Sequence, residues 1–380
     1  MPTEKKSICF IVSSALTARV FLRNHINNLS STYSVHLVGN FSESDKTELD
    51  KLLLEDYKCI AIVRQISLWH DIRSVVELYR YFRKHKFDIV HSVTPKAGLI
   101  TALAAKLASI RYRIHIFTGQ VWLTRNGIMR SILRGCDKLI NCLSTHLLVD
   151  SVGQLNFLIT EKIISPSKSS VLGNGSINGV DINRFLPDSL SRSNVRKELK
   201  IDEKRLVFLF LGRLNRDKGI MDLVKAFKCV QNDYPYIFLL IVGIDEEDLR
   251  GEIIQQLPQH TYAFIAETTQ PQLYYQAADI FCLPSYREGF GTSVIEASAC
   301  GLPVICSNIY GLESTIIENE TGLKHTAGDV IALQDCMIKM ITDPQFRIGA
   351  GENGRKYTAH FFQDRIVMDA WKKFYDQLVV

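Results

Sequence analysis

The chain is predicted to be an α/β protein of two doubly wound domains facing a central cleft, and three observations carry that prediction. Short β-branched runs alternate with amphipathic stretches almost from the first residue, the pattern of parallel strands covered by helices on both faces. The alternation breaks between 174 and 203, in a stretch rich in Gly, Asn, Ser and charge that holds Pro187, and then restarts. A length of 380 residues exceeds one ordinary core and suits two, since domains run to roughly 100–200 residues. The balance of 46% hydrophobic and 22% charged residues is that of globular proteins and excludes fibrous and disordered classes.

In the first half the strand signals fall at 8–12, 35–38, 60–63, 88–91, 113–117, 139–143 and 170–172. Apolar-periodic helices fill the gaps, among them 72–83 and 97–109, the second opened by Thr94-Pro95. The stretch 174–203 reads as the linker. In the second half, strands are expected at 205–211, 237–242, 263–266 and 280–283, with helices at 220–230, 246–257 and 270–277. Three helical patterns close the chain, at 330–341, 344–360 and 363–378. Ligands of such sheets bind outside the carboxyl ends of the strands, so two sheets joined by one linker place a cleft between those ends.

The net charge of +5 hides an asymmetry. Residues 1–180 hold 23 Lys and Arg against 13 Asp and Glu, whereas residues 181–380 hold 22 against 27. The segment 64–138 alone carries 14 basic and 4 acidic residues. That excess implies an anionic partner, whether lipid headgroups, a polyprenyl diphosphate or nucleic acid; a solvated basic face is the plain alternative. The nine cysteines are odd in number, lie mostly in apolar runs and never form Cys-x-x-Cys, against both a disulfide framework and a zinc ribbon. Met1-Pro2-Thr3-Glu4-Lys5-Lys6 leads into only six mostly apolar residues, too few for a signal-peptide core. The most apolar stretch, 97–110, contains Lys106 and falls short of the ~18 residues a spanning helix needs, so a soluble or peripheral protein is expected.

Two turns carry the chemistry. Pro284-Ser285-Tyr286-Arg287-Glu288-Gly289-Phe290-Gly291-Thr292-Ser293-Val294-Ile295-Glu296-Ala297 follows the expected strand 280–283 and reads as strand, flexible turn, helix. Gly289 and Gly291 let the backbone approach a ligand, and a helix opening near Thr292 is expected to aim unpaired N–H groups at a diphosphate. Glu288 and Glu296 frame the turn, and a carboxylate accepting two hydrogen bonds suits the vicinal diol of a ribose or hexose. The other turn, Phe210-Leu211-Gly212-Arg213-Leu214-Asn215-Arg216-Asp217-Lys218-Gly219, sets Arg213 and Lys218 at the carboxyl edge of the second sheet, where two cations offset charge on a departing diphosphate.

These turns, with Ala299-Cys300-Gly301-Leu302-Pro303-Val304-Ile305 and Glu320-Thr321-Gly322, resemble retaining glycosyltransferase family 4, which has the GT-B fold of two Rossmann-like domains. His91-Ser92-Val93-Thr94-Pro95-Lys96-Ala97-Gly98 and Gly175-Ser176-Ile177-Asn178-Gly179-Val180-Asp181 are similar to its branch that builds bacterial capsules, O-antigens and related lipid-linked glycans. The resemblance implies an acceptor-binding domain over 1–182, a nucleotide-sugar-binding domain over 183–360, and a last helix, about 361–380, that packs back on the first. It implies Arg213 and Lys218 on the diphosphate, Glu296 on the ribose, Glu288 on a donor-sugar hydroxyl, and the backbone of Gly289, Phe290, Gly291 and Thr292 lining sugar and phosphates. Gly212 opens the cation turn, and Gly243 would lie near the base. It further implies retention of the anomeric configuration, with the leaving phosphate helping to deprotonate the acceptor.

The first domain departs from that family in two places. After the first strand it has Ser13-Ser14-Ala15-Leu16-Thr17 in place of a Gly-rich loop, and Thr118 stands where many relatives carry a His near the donor sugar. His91, ending a strand, is the candidate substitute, against the alternative of a structural histidine; Thr118 and Lys96 are the other first-domain candidates.

No Asp-x-Asp occurs, so no metal or other cofactor is expected, with Arg213 and Lys218 in the place of an ion. A dinucleotide oxidoreductase lacks its Gly-x-Gly-x-x-Gly here. Nucleic-acid binding by 64–138 is disfavoured because Trp69, Tyr79, Tyr81 and Phe82 recur at helical spacing, as core or as a membrane-facing stripe. The expected activity is transfer from a UDP-sugar, such as a UDP-N-acetylhexosamine, to a polyprenyl-diphosphate-linked glycan at the cytoplasmic face of a membrane, reached through the basic segment. A nucleotide-sugar epimerase and an inactive scaffold of the same fold are the rivals.

Overall fold

The computed structural model describes residues 5–63 and 67–379. Met1-Pro2-Thr3-Glu4, the Arg64 that opens the basic segment, and Val380 lie outside the described residues. The chain forms two compact units, Met1–Asn178 with Asp364–Val380, and Gly179–Gln363.

The first unit holds a seven-stranded parallel sheet in the order β3-β2-β1-β4-β5-β6-β7. Its strands are β1 (Ser7–Ile11), β2 (Ser34–Gly39), β3 (Asp56–Cys59), β4 (Ile89–Val93), β5 (Tyr112–Phe117), β6 (His146–Val149) and β7 (Ser169–Val171). Its helices are α1 (Ala15–Thr17), α2 (Arg23–Leu29), α3 (Glu43–Leu49), α4 (Leu68–His85), α5 (Pro95–Leu107), α6 (Gly127–Leu143) and α7 (Val152–Thr160). The central strands β1 and β4 are covered on both faces; β1 accordingly reads as an apolar run from Ile8, while β4, equally buried, carries His91 and Ser92 within it.

Three expectations are corrected. The strand expected at 60–63 forms instead at Asp56–Cys59, a polar edge strand, while the buried Ile60 and Ile62 leave the sheet and pack with Leu78 and Phe82. The strand expected at 139–143 is the last turn and a half of α6, where Ile140 is the buried residue, and the true strand β6 follows. The expected linker contains a helix, α8 (Ser189–Glu198), capped by the Asp188 carboxylate, which accepts from the Leu190 and Ser191 N–H groups.

The second unit holds a six-stranded parallel sheet in the order β10-β9-β8-β11-β12-β13, built from β8 (Leu206–Leu211), β9 (Ile237–Val242), β10 (Tyr262–Ile265), β11 (Ile280–Leu283), β12 (Val304–Ser307) and β13 (Gly322–His325). Its further helices are α9 (Ile220–Asp233), α10 (Arg250–Gln256), α11 (Pro271–Ala277), α12 (Thr292–Ala299), α13 (Val330–Thr342) and α14 (Pro344–Phe361). The last helix, α15 (Asp364–Val379), belongs to the first unit, where Trp371 and Tyr375 join the core of β1, β2 and α2. Among the described residues no helix is long and apolar enough to cross a membrane.

Candidate active site

In the second sheet the strand order reverses between β8 and β11, which are direct neighbours. A parallel sheet opens a crevice at such a point, outside the carboxyl ends of the two strands. The two sequence turns leave those ends. Their contact is close: the Tyr286 N–H donates to the Asp217 carbonyl at 2.8 Å, and Arg287 Nε donates to Asp217 Oδ2 at 2.8 Å. Gly219 has φ +69°, and a Cβ there would fall 2.0 Å from the Pro284 carbonyl oxygen, so only glycine lets the turns close on each other.

The charged groups are arranged by that closure. Lys218 Nζ donates to Glu288 Oε1 at 2.5 Å, and the Ser285 hydroxyl donates to the same oxygen at 2.8 Å. Both partners of the ion pair are largely buried. Arg213 spans both oxygens of Glu246 at 2.8 and 2.9 Å, and Asn215 Nδ2 donates to Glu246 Oε2 while its own carbonyl oxygen accepts from the Lys218 N–H. The cation turn is therefore fixed at both ends by side-chain bonds. Gly243, with φ +145°, presses on Gly212: a Cβ on Gly243 would lie 1.8 Å from the Gly212 carbonyl oxygen.

Glu296 stands one turn inside α12, on a different partner. The Tyr275 hydroxyl donates to its Oε2 at 3.0 Å. Burial pushes this carboxyl up to about 7, against the opposing pull of the Tyr275 bond and of the Arg184 charge. The opening of α12 corrects one expectation. Thr292 N–H donates to the Phe290 carbonyl and Val294 N–H to that of Gly291, because the chain tightens into the helix; Ser293 N–H is left without a partner among the described residues. The Phe290 ring is buried against Phe362, leaving only backbone at that position for a ligand.

In the first unit the candidates separate. His91 is wholly buried in β4, its Nδ1 2.6 Å from the Tyr375 hydroxyl and its ring stacked on Trp371, and burial holds its pKa well below the usual histidine value. Lys96 opens α5 and pairs with Asp71 at 2.8 Å. Thr118 follows β5 at the carboxyl edge and is half-buried. Gly98 is required by packing, since a Cβ there would lie 2.4 Å from the His115 ring, which bonds the Ser92 hydroxyl.

Several residues of these edges were not singled out by the sequence. Ser285 and Tyr275 orient the two glutamates, Glu246 holds Arg213, and Gly311 approaches the Glu288 backbone so closely that a Cβ would meet its carbonyl oxygen at 2.2 Å. Asp150, just after β6, is a buried carboxyl whose Oδ1 has no hydrogen-bond partner among the described residues, beside the buried Gln154 and Gln120. Asp217 stands in the cation turn itself, whereas Glu246 follows β9 and reaches that turn only through the fold.

Comparison with known proteins decides the family. Residues 191–357 match the model of Glycosyl transferases group 1, and residues 7–133 that of Glycosyl transferase 4-like. The capsular polysaccharide biosynthesis glycosyltransferase CapM of Staphylococcus aureus is 31% identical over 349 residues, covering 90% of this chain and 89% of that protein. The chain belongs to glycosyltransferase family 4. This family 4 transferase is also 27% identical, over 84% of its length and 83% of the other, to the Escherichia coli UDP-Gal:alpha-D-GlcNAc-diphosphoundecaprenol alpha-1,3-galactosyltransferase. Its fold is that of Anabaena HepE, solved in complex with UDP and glucose, at a TM-score of 0.83 and 19% identity, covering 98% of this chain and all of that one. The transferase therefore has the GT-B architecture and acts in capsular or related polysaccharide synthesis.

Proposed function

We propose that the transferase moves a sugar, with retention and without a metal, from a UDP-sugar such as a UDP-N-acetylhexosamine to a polyprenyl-diphosphate-linked saccharide. One observation carries the reading: the cation turn and the glutamate turn meet at the switch point of the second sheet, joined by the Lys218–Glu288 pair. Arg213 and Lys218 offset the charge that builds on the leaving diphosphate. Gly212 and Gly243, pressed together at the ends of β8 and β9, give the base a flat backbone floor. Glu296 accepts from the ribose diol, Glu288 from a donor-sugar hydroxyl, and the backbone from Gly289 to Thr292 lines the sugar. The leaving phosphate oxygen takes the acceptor proton, so neither Thr118 nor the buried His91 needs to act as a base. Two relatives support the donor and acceptor: the galactosyltransferase is named for UDP-Gal and a diphosphoundecaprenol acceptor, and HepE is solved with UDP. The work is placed at the cytoplasmic face of the membrane, with the basic segment 64–138 toward anionic lipid.

Calorimetric titration of UDP, GDP and ADP in EDTA tests this. UDP alone is expected to bind, with Lys218→Ala and Glu296→Ala each weakening it roughly tenfold or more, the loss of one charge-assisted contact. Glu288→Ala is expected to slow transfer while leaving UDP affinity near wild type. Equal UDP affinity in all three variants and the wild type would remove the proposed donor site.

A further inference from the structure

Two helices of the first unit leave apolar rows uncovered. α5 packs against both α4 and α6, and right-handed crossovers running the same way along the sheet put all three on one face of it. Helices alternating with parallel strands begin at the carboxyl edge, so the amino-terminal ends of α4 and α6 share that end of the unit. There Leu68 and Trp69 are each 78% exposed and Ile72 follows one turn on; in α6, Ile128 is 80% exposed, with Met129 and Ile132 beside it. These side chains stand in the amino-terminal turns of their helices, whereas Leu78, Phe82 and Ile140, further along the same helices, are in the core. An apolar row at this exposure marks an interaction surface.

The charge around the rows says which partner. The four acidic residues of the segment are engaged elsewhere: Asp71 with Lys96, Glu77 with Arg73, Asp88 with Ser7, and Asp137 buried on the Trp122 indole. Arg80, Arg83, Arg125 and Arg130 stay exposed, with no carboxylate paired to them among the described residues. A second copy docking on this face would bring its own arginines against these. An anionic lipid surface satisfies both parts, taking the apolar side chains below the headgroups and pairing the guanidinium groups with phosphates.

We propose that α4 and α6 form a bilayer-docking surface that sinks Leu68, Trp69, Ile72, Ile128, Met129 and Ile132 into the boundary between headgroups and acyl chains of an anionic leaflet. The purpose of this docking rests on the lipid-linked acceptor of the proposed function, but the docking itself needs neither donor nor acceptor and is measured without them. The full chain is mixed at low salt with phosphatidylcholine vesicles, with and without phosphatidylglycerol, and bound protein is separated by flotation. Binding is expected only with phosphatidylglycerol. The double variants Leu68→Ser with Trp69→Ser, and Ile128→Ser with Ile132→Ser, should each lower partition roughly tenfold or more, because each removes two large apolar groups from the buried face. Trp122 and Trp371 are each 1% exposed, so a blue shift of tryptophan emission on vesicles reports Trp69 and should vanish in Trp69→Phe, which still binds. No binding at low salt overturns the proposal. So does binding that both double variants retain, which would be charge attraction alone, and so does a change of sedimenting mass in those variants, which would assign the face to a second copy.

Discussion

At the scale of single residues, the two glutamates of the second unit differ by environment. Glu288 is matched by a cation in direct contact, whereas Glu296 is buried, and that burial outweighs the Tyr275 hydrogen bond and the Arg184 charge, so its pKa rises to about 7. A carboxyl raised on folding stabilises the fold at low pH, and that contribution is lost as pH rises from its unfolded value near ~4.3 through about 7. Glu296→Gln should therefore gain stability relative to the wild type as pH rises over that window, measured by denaturant midpoints at pH 4.5, 6 and 8. On the proposed role the ionised form accepts from the ribose, so UDP affinity should rise from pH 6 to 8 in the wild type and stay flat in Glu296→Gln. The same slope in both proteins would detach Glu296 from the nucleotide. The identity and spacing of Arg213, Lys218, Glu288 and Glu296 were legible in the sequence, because turn residues and charges follow one another along the chain. Tyr275 and Ser285 were not, since what they do depends on which strand ends the fold sets side by side.

At the scale of elements, glycines show how local geometry divides into required and incidental. Gly243 sits at φ +145° with a Cβ position 1.8 Å from the Gly212 carbonyl oxygen, so Gly243→Ala must separate β8 from β9 at their carboxyl ends. It should cost about 3 kcal/mol or more and weaken UDP binding with it, read by chemical denaturation and calorimetry. Gly135 lies mid-way along α6 with open space around its Cβ position, so Gly135→Ala should stabilise by about 0.5–1 kcal/mol and leave UDP binding unchanged. A loss of stability at Gly135 would mean that the α6 face is covered. The element map was largely legible: β9 and β11 fall where the apolar runs stand. The failures have different causes. The run at 139–143 is as apolar as a strand but continues the helical row of Ile132 and Cys136, and a run of four or five apolar residues does not distinguish the two; the edge strand Asp56–Cys59 is polar because nothing covers it.

At the scale of the molecule, the chain returns at its end to the unit in which it began. α15 places Trp371 and Tyr375 against His25 and His91, and Asp376 accepts from the Tyr33 hydroxyl at 2.7 Å. The core of β1, β2 and α2 is thus finished only when the last sixteen described residues are in place. Trp371 is almost wholly buried, and Trp371→Ala opens a cavity under β1 and β4 at a cost of about 3–5 kcal/mol. That loss belongs to the first unit, whereas the proposed UDP site is built from residues 212–296 of the second. Calorimetric scans should accordingly show one transition lowered in Trp371→Ala, with UDP raising the other transition as it does in the wild type. Hydrogen exchange should speed up in β1, β2 and β4 and keep its wild-type rate in β8 and β11. If Trp371→Ala abolished UDP binding as well, the two units would fold as one cooperative block, and the nucleotide site would depend on the first unit for its shape.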